Sequence, residues 1–413
     1  MFNQVQPGSE AWWQEKIQAG IPAITPMSAD RCQTTFYWRD PQGDEMRSST
    51  RRVWLNITGV TDHHRQQRPF SLQRIAGTDV WQGEVTLSNR WRGSYCLIPS
   101  KDDADFPAED LAADRLRSWW KSHLPAAIAD PLNPLRSWRN GRGHAVSPLH
   151  MPAAPPQPAW HNLDRGAAPI GSQPVSRFWH SSRLANRRPV WLLQTGEAKD
   201  TPRPLAILLD GQFWANTMPV AAPLHELTQQ GKLPPACYLF IDSVGTTQRS
   251  HELTCNPEFW LAVQEELLPQ VSDGLPAWDR TLPTLVAGQS YGGLSALYAA
   301  LSWPHIFNGA VSLSGSFWWP DRHTADSGGF LGEQLRQGLG SASAQSLWLE
   351  AGLHEKIILQ SNRTLLPLLQ SFGHDVHYRE FEGGHDALCW RGGLTDGLQT
   401  LWAALCQTTA RYA

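Results

Sequence analysis

The chain has 413 residues, of which 41% are hydrophobic and 18% are charged, and its formal net charge is −3. This composition is ordinary for a soluble globular protein, and the length exceeds the ~250–300 residues beyond which one core rarely grows, so we expect two domains. A net charge near zero provides no basic field, which argues against nucleic acid and anionic membranes as partners.

Six cysteines are scattered along the chain without the short spacings of a zinc site, so we expect reduced thiols. The N-terminal stretch MFNQVQPGSEAWWQEK lacks the basic and apolar regions of a signal peptide. No run approaches the ~18 apolar residues of a membrane-spanning helix. The sequence therefore predicts a cytoplasmic protein without membrane insertion, and it gives no oligomeric state.

The N-terminal part of the chain has the pattern of short alternating strands separated by turn residues. This spacing predicts a small β-sandwich domain over residues 1–150. A stretch rich in Pro, Gly and Ala from residue 140 predicts a linker that ends near residue 174. The predicted strands are Cys32–Asp40, Arg52–Thr58, Ser71–Ile75, Val80–Leu87 and Tyr95–Ile98.

From residue 175 the pattern changes to a hairpin followed by alternating strands and helices. That order predicts a mostly parallel sheet with helices on both faces, an α/β-hydrolase fold over residues 175–413. The predicted strands after the hairpin are Pro204–Leu209, Ala236–Ile241, Leu282–Ala287, Gly309–Leu313, Ser346–Glu350 and Asp375–Phe381.

Residues 282–300, LPTLVAGQSYGGLSALYAA, predict a strand, a sharp turn and a helix, with a G-x-S-x-G pentapeptide at the turn. Gly288 and Gly292 carry no side chains, which lets the strand and the helix close on each other. The turn exposes the oxygen of Ser290 and points the helix N-terminus at the reaction centre. We predict Ser290 as a nucleophile, since the flanking patterns argue against a solvated serine in a plain glycine turn.

A serine hydroxyl needs an adjacent base, and in this fold the chain order is serine, acid, histidine. His385 follows the last predicted strand in a glycine loop, and we predict that it is the base. The acid should follow the preceding strand, where Glu355 lies a few residues past the strand end. Glu350 in the strand, Asp386 beside the histidine, and a dyad without an acid remain alternatives.

A tetrahedral intermediate needs two hydrogen-bond donors. We predict the backbone amides of Tyr291, which follows the nucleophile, and of Gln212, which follows the strand ending at Leu209. Gly211 would let the backbone approach closely. The alternative for this loop is an ordinary Asp-Gly turn.

Loops with arginines and aromatic residues surround the predicted site, and four side chains are candidates for substrate contact: Arg249, Trp214, Trp318 and Arg391. Arg249 follows the fourth strand of this domain on the predicted active-site edge, so it is a better anion ligand than most arginines. Its alternative is a structural ion pair, most simply with Glu252.

Six stretches resemble the enterochelin (enterobactin) esterase family: LLDGQFWAN (209–216), RSHELTCNPEFWLAVQEELLP (249–269), AGQSYGGLSALYAAL (287–301), SLSGSFWW (312–319), LEAGLHEKI (349–357) and EGGHDALCWRGGL (382–394). The last is far more specific than GQSYGG. The resemblance covers nearly the whole chain and implies cytoplasmic hydrolysis of the catecholate trilactone of ferric enterobactin, or of related glucosylated or linearised forms.

In the activity that the resemblance implies, iron arrives with the substrate, so no cofactor and no metal site of the protein itself is implied. A ferric tris-catecholate is trianionic and rimmed by aromatic rings, which arginine with Trp or Phe would suit. Two other functions fit the same residues: a feruloyl-type or general carboxylesterase, and a non-catalytic siderophore-binding module that keeps the serine turn.

Overall fold

The computed structural model describes residues 5–65, 67–106, 111–141, 143–197 and 201–412, without the side chains of residues 406–412. The described residues form two compact units. The N-terminal unit comprises Met1–Gln157, His161–Ala167 and Glu382–Cys389, and the C-terminal unit comprises Pro158–Trp160, Ala168–Phe381 and Trp390–Ala413.

The N-terminal unit is built on eight antiparallel strands. They are β1 (Ala23–Pro26), β2 (Arg31–Arg39), β3 (Arg52–Ile57), β4 (Phe70–Arg74), β5 (Val80–Ser88), β6 (Arg92–Ser100), β7 (Trp138–Arg139) and β8 (Ala145–His150). Hydrogen bonds join them in the order β1-β2-β5-β4-β3-β6-β8-β7. The helices of this unit are α1 (Glu10–Ala19), α2 (Ala113–His123) and α3 (His161–Asp164).

The core of the N-terminal unit lies between strands that are not neighbours in the sheet. The rings of Phe36 in β2 and Tyr95 in β6 lie 5.0 Å apart, although three strands separate β2 from β6 in the order. The five strands predicted between residues 32 and 98 are present, each within a few residues of its predicted ends. The predicted linker is corrected at its start, where Ala145–His150 pairs with β6 instead of remaining irregular.

The C-terminal unit is built on a second sheet of eight strands: β9 (Val175–Ser181), β10 (Asn186–Gln194), β11 (Leu205–Leu209), β12 (Cys237–Ile241), β13 (Thr284–Gln289), β14 (Gly309–Leu313), β15 (Ser346–Gly352) and β16 (Asp375–Phe381). Their order is β16-β15-β14-β13-β11-β12-β10-β9. Strand β10 runs antiparallel to both of its neighbours, β9 and β12, and all other neighbouring pairs are parallel. Every residue of β11, β12 and β14 is buried, as expected for a parallel sheet covered on both faces.

Helices alternate with these strands. They are α4 (Ala221–Gln229), α5 (Thr246–Glu252), α6 (Pro257–Ala262), α7 (Leu268–Val271), α8 (Tyr291–Ser302), α9 (Gly329–Arg336), α10 (Lys356–Ser371) and α11 (Ala387–Tyr412). Parallel strands end at the same edge of a sheet, and in this class of fold ligands bind outside the carboxyl ends. Asp210, Ser290, Ser314 and Glu355 follow the carboxyl ends of four such strands, so the sheet delivers them to one edge.

Candidate active site

Ser290 occupies a strained turn between β13 and α8. Its backbone has φ 59° and ψ −119°, a conformation that few residues with side chains adopt. A Cβ added to Gly288 would lie 2.5 Å from the carbonyl carbon of Gly292, and one added to Gly293 would lie 2.7 Å from Ser312 Oγ. The glycines therefore permit the tight turn that the motif predicts, with Ser290 half-buried at its apex.

A polar network joins Asp210, Arg249 and Gln289, the residue before the serine. The Asp210 carboxylate accepts two hydrogen bonds from Arg249, at 2.6 Å from Nε and 2.7 Å from a terminal nitrogen. It also accepts one from the side chain of Gln289 at 3.0 Å. Burial opposes the charge on Arg249, but the Asp210 carboxylate outweighs burial and raises the pKa of the guanidinium. The residue before the nucleophile is thereby tied to the loop after β11.

That loop also carries Gln212, the second predicted oxyanion donor. A Cβ on Gly211 would lie 2.5 Å from the backbone nitrogen of Ile241, so the loop runs directly against β12. The Gln212 side chain is held by Ser243, donating to its hydroxyl at 2.5 Å and accepting from its backbone N–H at 3.1 Å. Tyr291 is the first residue of α8, and amides in a first helical turn have no intrahelical acceptor.

Glu355 is buried beside β14 and β15, with 3% of its surface exposed. Its Oε2 accepts hydrogen bonds from Ser314 Oγ at 2.7 Å and from the backbone N–H of Gly352 at 2.6 Å. The indole N–H of Trp390 donates to Ser314 Oγ at 2.9 Å. Because an indole N–H can only donate, the Ser314 proton is directed at the Glu355 carboxylate.

Glu350 has a different environment. Its Oε2 lies 2.7 Å from a terminal nitrogen of Arg379, and its side chain is 0% exposed. A Cβ on Gly393 would lie 1.9 Å from its Oε1, so α11 packs directly on the carboxyl group. Burial, only partly offset by Arg379, raises the pKa of Glu350 to about 7. Glu350 is therefore a buried ion-pair partner of Arg379 within the sheet.

Asp386 is also engaged, within the N-terminal unit. Its Oδ2 accepts from the Ser94 backbone N–H at 2.9 Å and from the Ser94 hydroxyl, and its Oδ1 accepts from the Leu388 N–H at 2.8 Å. His385 precedes it, half-buried, in the segment Glu382–Cys389 that the chain enters after β16.

The structure corrects the predicted substrate contacts of Trp214 and Arg391. Each has 1% of its surface exposed, which leaves no face for a ligand. The indole of Trp214 donates to Gln289 at 3.1 Å, and Arg391 stacks over the ring of Trp160 at 5.1 Å. Both residues were predicted to contact the substrate because they lie close in sequence to other predicted site residues. Tertiary packing, which a local sequence pattern does not report, decides whether such a side chain is buried.

Arg249 has a structural partner, but a different one from the alternative that the sequence suggested. The ion pair is with Asp210, as described above, while the carboxylate of Glu252 is bound by Arg188, and both of these side chains are 1% exposed. Asp210 and Arg249 are 39 residues apart in sequence, so no local pattern indicates the pair.

Two residues near the nucleophile, Ser316 and Arg322, were missed from the sequence, while Trp318 was among the predicted substrate contacts. Ser316 Oγ lies 3.3 Å from Ser290 Oγ, and its backbone N–H donates to the Ser290 carbonyl at 3.1 Å. The half-buried ring of Trp318 lies 5.9 Å from the ring of Tyr291, and the exposed guanidinium of Arg322 lies 5.6 Å above Trp318. The SGSFWW motif contained the signal for Ser316, while Arg322 had none.

Among the described residues, one group of side chains is close enough to hold a metal ion: Asp62, His63 and His64, with ligand atoms within 4.8 Å of one another. The Asp62 carboxylate already accepts from the His64 N–H at 3.0 Å and contacts its Nδ1 at 2.8 Å. Burial opposes ionisation, but His64 outweighs it and lowers the pKa of Asp62 to about 2. The Asp62 carboxylate is thus already bound by His64 within one turn of the chain, and we assign no metal to this group.

No helix in the described part of the chain combines the length and the apolar character needed to cross a bilayer. The five cysteines with described side chains, which are Cys32, Cys96, Cys237, Cys255 and Cys389, are buried and form no disulfide with one another.

Two family models match this chain: one described as "Enterochelin esterase, N-terminal" over residues 33–160, and one described as "Putative esterase" over residues 181–401. The iron(III) enterobactin esterase of Escherichia coli O6:H1 (strain CFT073) is 52% identical over 399 residues, covering 96% of this chain and 97% of that protein.

Solved structures agree. The ferric enterobactin esterase from Salmonella typhimurium is 51% identical with a TM-score of 0.89, covering 96% of this chain and 99% of that one. The enterobactin esterase from Shigella flexneri, crystallised in the presence of enterobactin, is 50% identical with a TM-score of 0.85, covering 97% and 100%. The α/β esterase fold is thus shared over nearly the whole length, and the chain belongs to the enterochelin (enterobactin) esterase family.

Proposed function

We propose that this chain is a serine esterase that hydrolyses the ester bonds of ferric enterobactin, or of a related catecholate siderophore, and releases iron in the cytoplasm. The observation that carries the proposal is the backbone of Ser290, held at φ 59° between a parallel strand and a helix. Relatives at 50–52% identity bear the name iron(III) enterobactin esterase. No cofactor is required, because the iron belongs to the substrate.

In the proposed reaction Ser290 Oγ attacks the ester carbonyl carbon while its proton passes to the imidazole of His385. The amides of Tyr291 and Gln212 donate to the oxyanion that forms. Collapse of the intermediate breaks the bond to the alkoxide of the neighbouring unit, which takes the proton from the imidazolium. Water then attacks the acyl-serine with the same base, which frees the carboxylate and restores Ser290.

We assign the orienting acid to Glu355. The two hydrogen bonds to its Oε2 fix the carboxylate in place, and a fixed carboxylate can orient and stabilise an imidazolium. Glu350 and Asp386 are the weaker candidates, since Arg379 occupies one and Ser94 the other. Ser316 supports the nucleophile itself through the 3.3 Å contact between the two hydroxyl oxygens.

For recognition of the trianionic ferric complex we propose Trp318 together with Arg322. An exposed cation above a half-buried indole, one ring away from Tyr291, offers both charge and an aromatic face to a catecholate. Arg249 has 24% of its side chain exposed and its charge is matched by Asp210, so it serves the architecture of the site first.

We also propose the finer description of the fold. The C-terminal unit is an α/β-hydrolase domain, supported by the serine turn after β13 and by the parallel order of β11 to β16. The N-terminal unit is a β-sandwich, supported by the Phe36–Tyr95 contact across the core. The predicted division of the chain at residues 150–174 belongs to this proposal.

The experiment that tests the function is product analysis by mass spectrometry after incubation with ferric and with iron-free enterobactin. We expect linear and then shorter dihydroxybenzoyl-serine products from the ferric complex. Intact siderophore that co-elutes with the protein would indicate a binding module. Faster turnover of feruloyl or simple alkyl esters than of the siderophore would indicate a general carboxylesterase.

A further inference from the structure

The loop that carries His385 is hydrogen-bonded to one strand of the N-terminal unit on both sides of the histidine. Before it, the Glu382 carbonyl accepts from the Arg92 N–H at 3.0 Å. After it, the Asp386 carboxylate accepts from the Ser94 N–H at 2.9 Å and from the Ser94 hydroxyl. Arg92 and Ser94 both belong to β6, so a single rigid element holds the two flanks of the loop.

The contact between Ser94 and Asp386 is buried and has a fixed direction. Ser94 is 4% exposed and Asp386 is 3% exposed. The Ser94 hydroxyl donates to the carboxylate, and hydrogen bonds to a carboxylate acceptor are among the stronger ones. The other carboxylate oxygen, Oδ1, accepts from the Leu388 N–H at 2.8 Å, which ties the start of α11 to the same group.

Two further contacts press the loop against this unit. A Cβ on Gly384 would lie 3.0 Å from the Cα of Gly59, so the glycine is needed for backbone-to-backbone approach. Behind the histidine, the side chain of Gln157 donates to the Leu388 carbonyl at 3.0 Å. A loop with two consecutive glycines is entropically costly to order, and these contacts supply the order.

We propose that β6, through Ser94 and its bond to Asp386, holds the loop that carries the base, His385. The inference rests on the proposed function, in which His385 is that base. A general base must be held within about 0.5 Å of its productive position, and a displacement near 1 Å can lower a rate by about 10²-fold. Ser94 and Asp386 are therefore positioning residues, which act through His385 without touching the substrate.

The test uses the full chain with Ser94→Ala, Asp386→Asn and, as matched control, Ser147→Ala. Ser147 is 1% exposed in β8, the strand next to β6, and its hydroxyl accepts from the Asp130 N–H at 2.9 Å. Removing its hydroxyl deletes a buried hydrogen bond in the same sheet, and the partner in that bond, Asp130, lies outside the histidine loop. We expect Ser94→Ala and Asp386→Asn to lower kcat about ten- to hundredfold with little change in KM. Ser147→Ala should keep the wild-type kcat.

A second arm separates positioning from general damage. In a His385→Ala background, Ser94→Ala should cost less than about twofold, because effects that pass through one group are not additive. A folded Ser94→Ala protein with the wild-type kcat would overturn the inference, and so would an undiminished loss in the His385→Ala background. If Ser94→Ala does not fold, Asp386→Asn decides by the same criteria. Full activity of His385→Ala itself would instead overturn the proposed function.

Discussion

The two sheets of this molecule differ in where their backbones are strained. In the described part of the N-terminal unit, every residue with a positive φ is a glycine, such as Gly43 at φ 99° and Gly77 at φ 73°. The C-terminal unit places side-chain-bearing residues in this region shortly after four parallel strands. They are Asp210 (φ 54°), Val244 (φ 63°), Ser290 (φ 59°) and Ser314 (φ 49°).

This difference separates a scaffold from a site. A residue held in such a conformation costs about 1–3 kcal/mol and persists only where its surroundings over-determine it. Ser290, Asp210 and Ser314 each present a polar side chain to a neighbour at the carboxyl edge of the sheet. In the described part of the N-terminal unit the residues at positive φ are glycines, for which this conformation carries no such cost. The strained residues thus mark the edge at which we place the chemistry.

The largest expected effect comes from the proposed base. His385→Ala should lower kcat by about 10⁴-fold or more, and adding Ser290→Ala should lower it hardly further, because the two groups act as one unit. Steady-state kinetics on the two single variants and the double variant measure this. Multiplicative losses would mean that His385 contributes independently of the nucleophile.

The acid gives the next largest effect, in a comparison of two buried carboxylates, Glu350 within β15 and Glu355 just after it. Glu355→Gln should lower kcat by about 10²- to 10⁴-fold, since the imidazole loses its orienting carboxylate. Glu350→Gln should stay within a few fold, because Arg379 keeps its second partner, Asp396, at 2.6 Å. Both rates must be compared at equal folding. A larger loss in Glu350→Gln would move the acid into the strand.

The sequence predicted most of the fold but only part of the site. Apolar runs and turn residues located β11, β13 and β16 closely, because those patterns report local structure and burial. The serine turn was predictable for the same reason. The contacts of Arg249 and Asp386 were not, because their partners are 39 and 292 residues away and are chosen by tertiary packing.

Removal of the Arg249–Asp210 ion pair measures how much this pair stabilises the carboxyl edge of the C-terminal sheet, where the strained residues lie. Arg249→Ala should lower the free energy of unfolding by roughly 3 kcal/mol, because it leaves Asp210 buried and unpaired. The control is Arg363→Ala, which breaks an ion pair of similar geometry with Glu380 on the surface, where the Arg363 side chain is 52% exposed, and this loss should be clearly smaller because solvent screens the pair. Chemical denaturation gives both values. Equal losses would contradict a structural role for Arg249.

The same variant separates architecture from recognition. Arg249→Ala should impair hydrolysis of the ferric siderophore and of a neutral short-chain ester alike. Arg322→Gln should raise KM for the ferric complex alone, and less at high salt, since an exposed charge is screened. A selective effect of Arg249→Ala on the ferric complex would return it to the substrate contacts.

The smallest effect addresses strain directly. Val244 is β-branched, 52% exposed and held at φ 63°, so Val244→Gly should raise the free energy of unfolding by up to about 1 kcal/mol. Gly77→Ala, at a turn of the N-terminal sheet with open space around it, should lower it by about 1 kcal/mol. Thermal unfolding of both variants measures the contrast. Destabilisation by Val244→Gly would mean that this turn stores no strain.

The central claim is that Ser290 is the nucleophile of an esterase, and the hydrolysis rate of ferric enterobactin by Ser290→Ala tests it most directly. Alanine removes only the hydroxyl, so siderophore binding should remain while the covalent route is lost. We predict a kcat at least about 10⁴-fold below that of the wild-type chain, with ferric siderophore still bound in an equilibrium titration. A purified, folded Ser290→Ala protein that retains more than a few per cent of the wild-type rate would contradict the account.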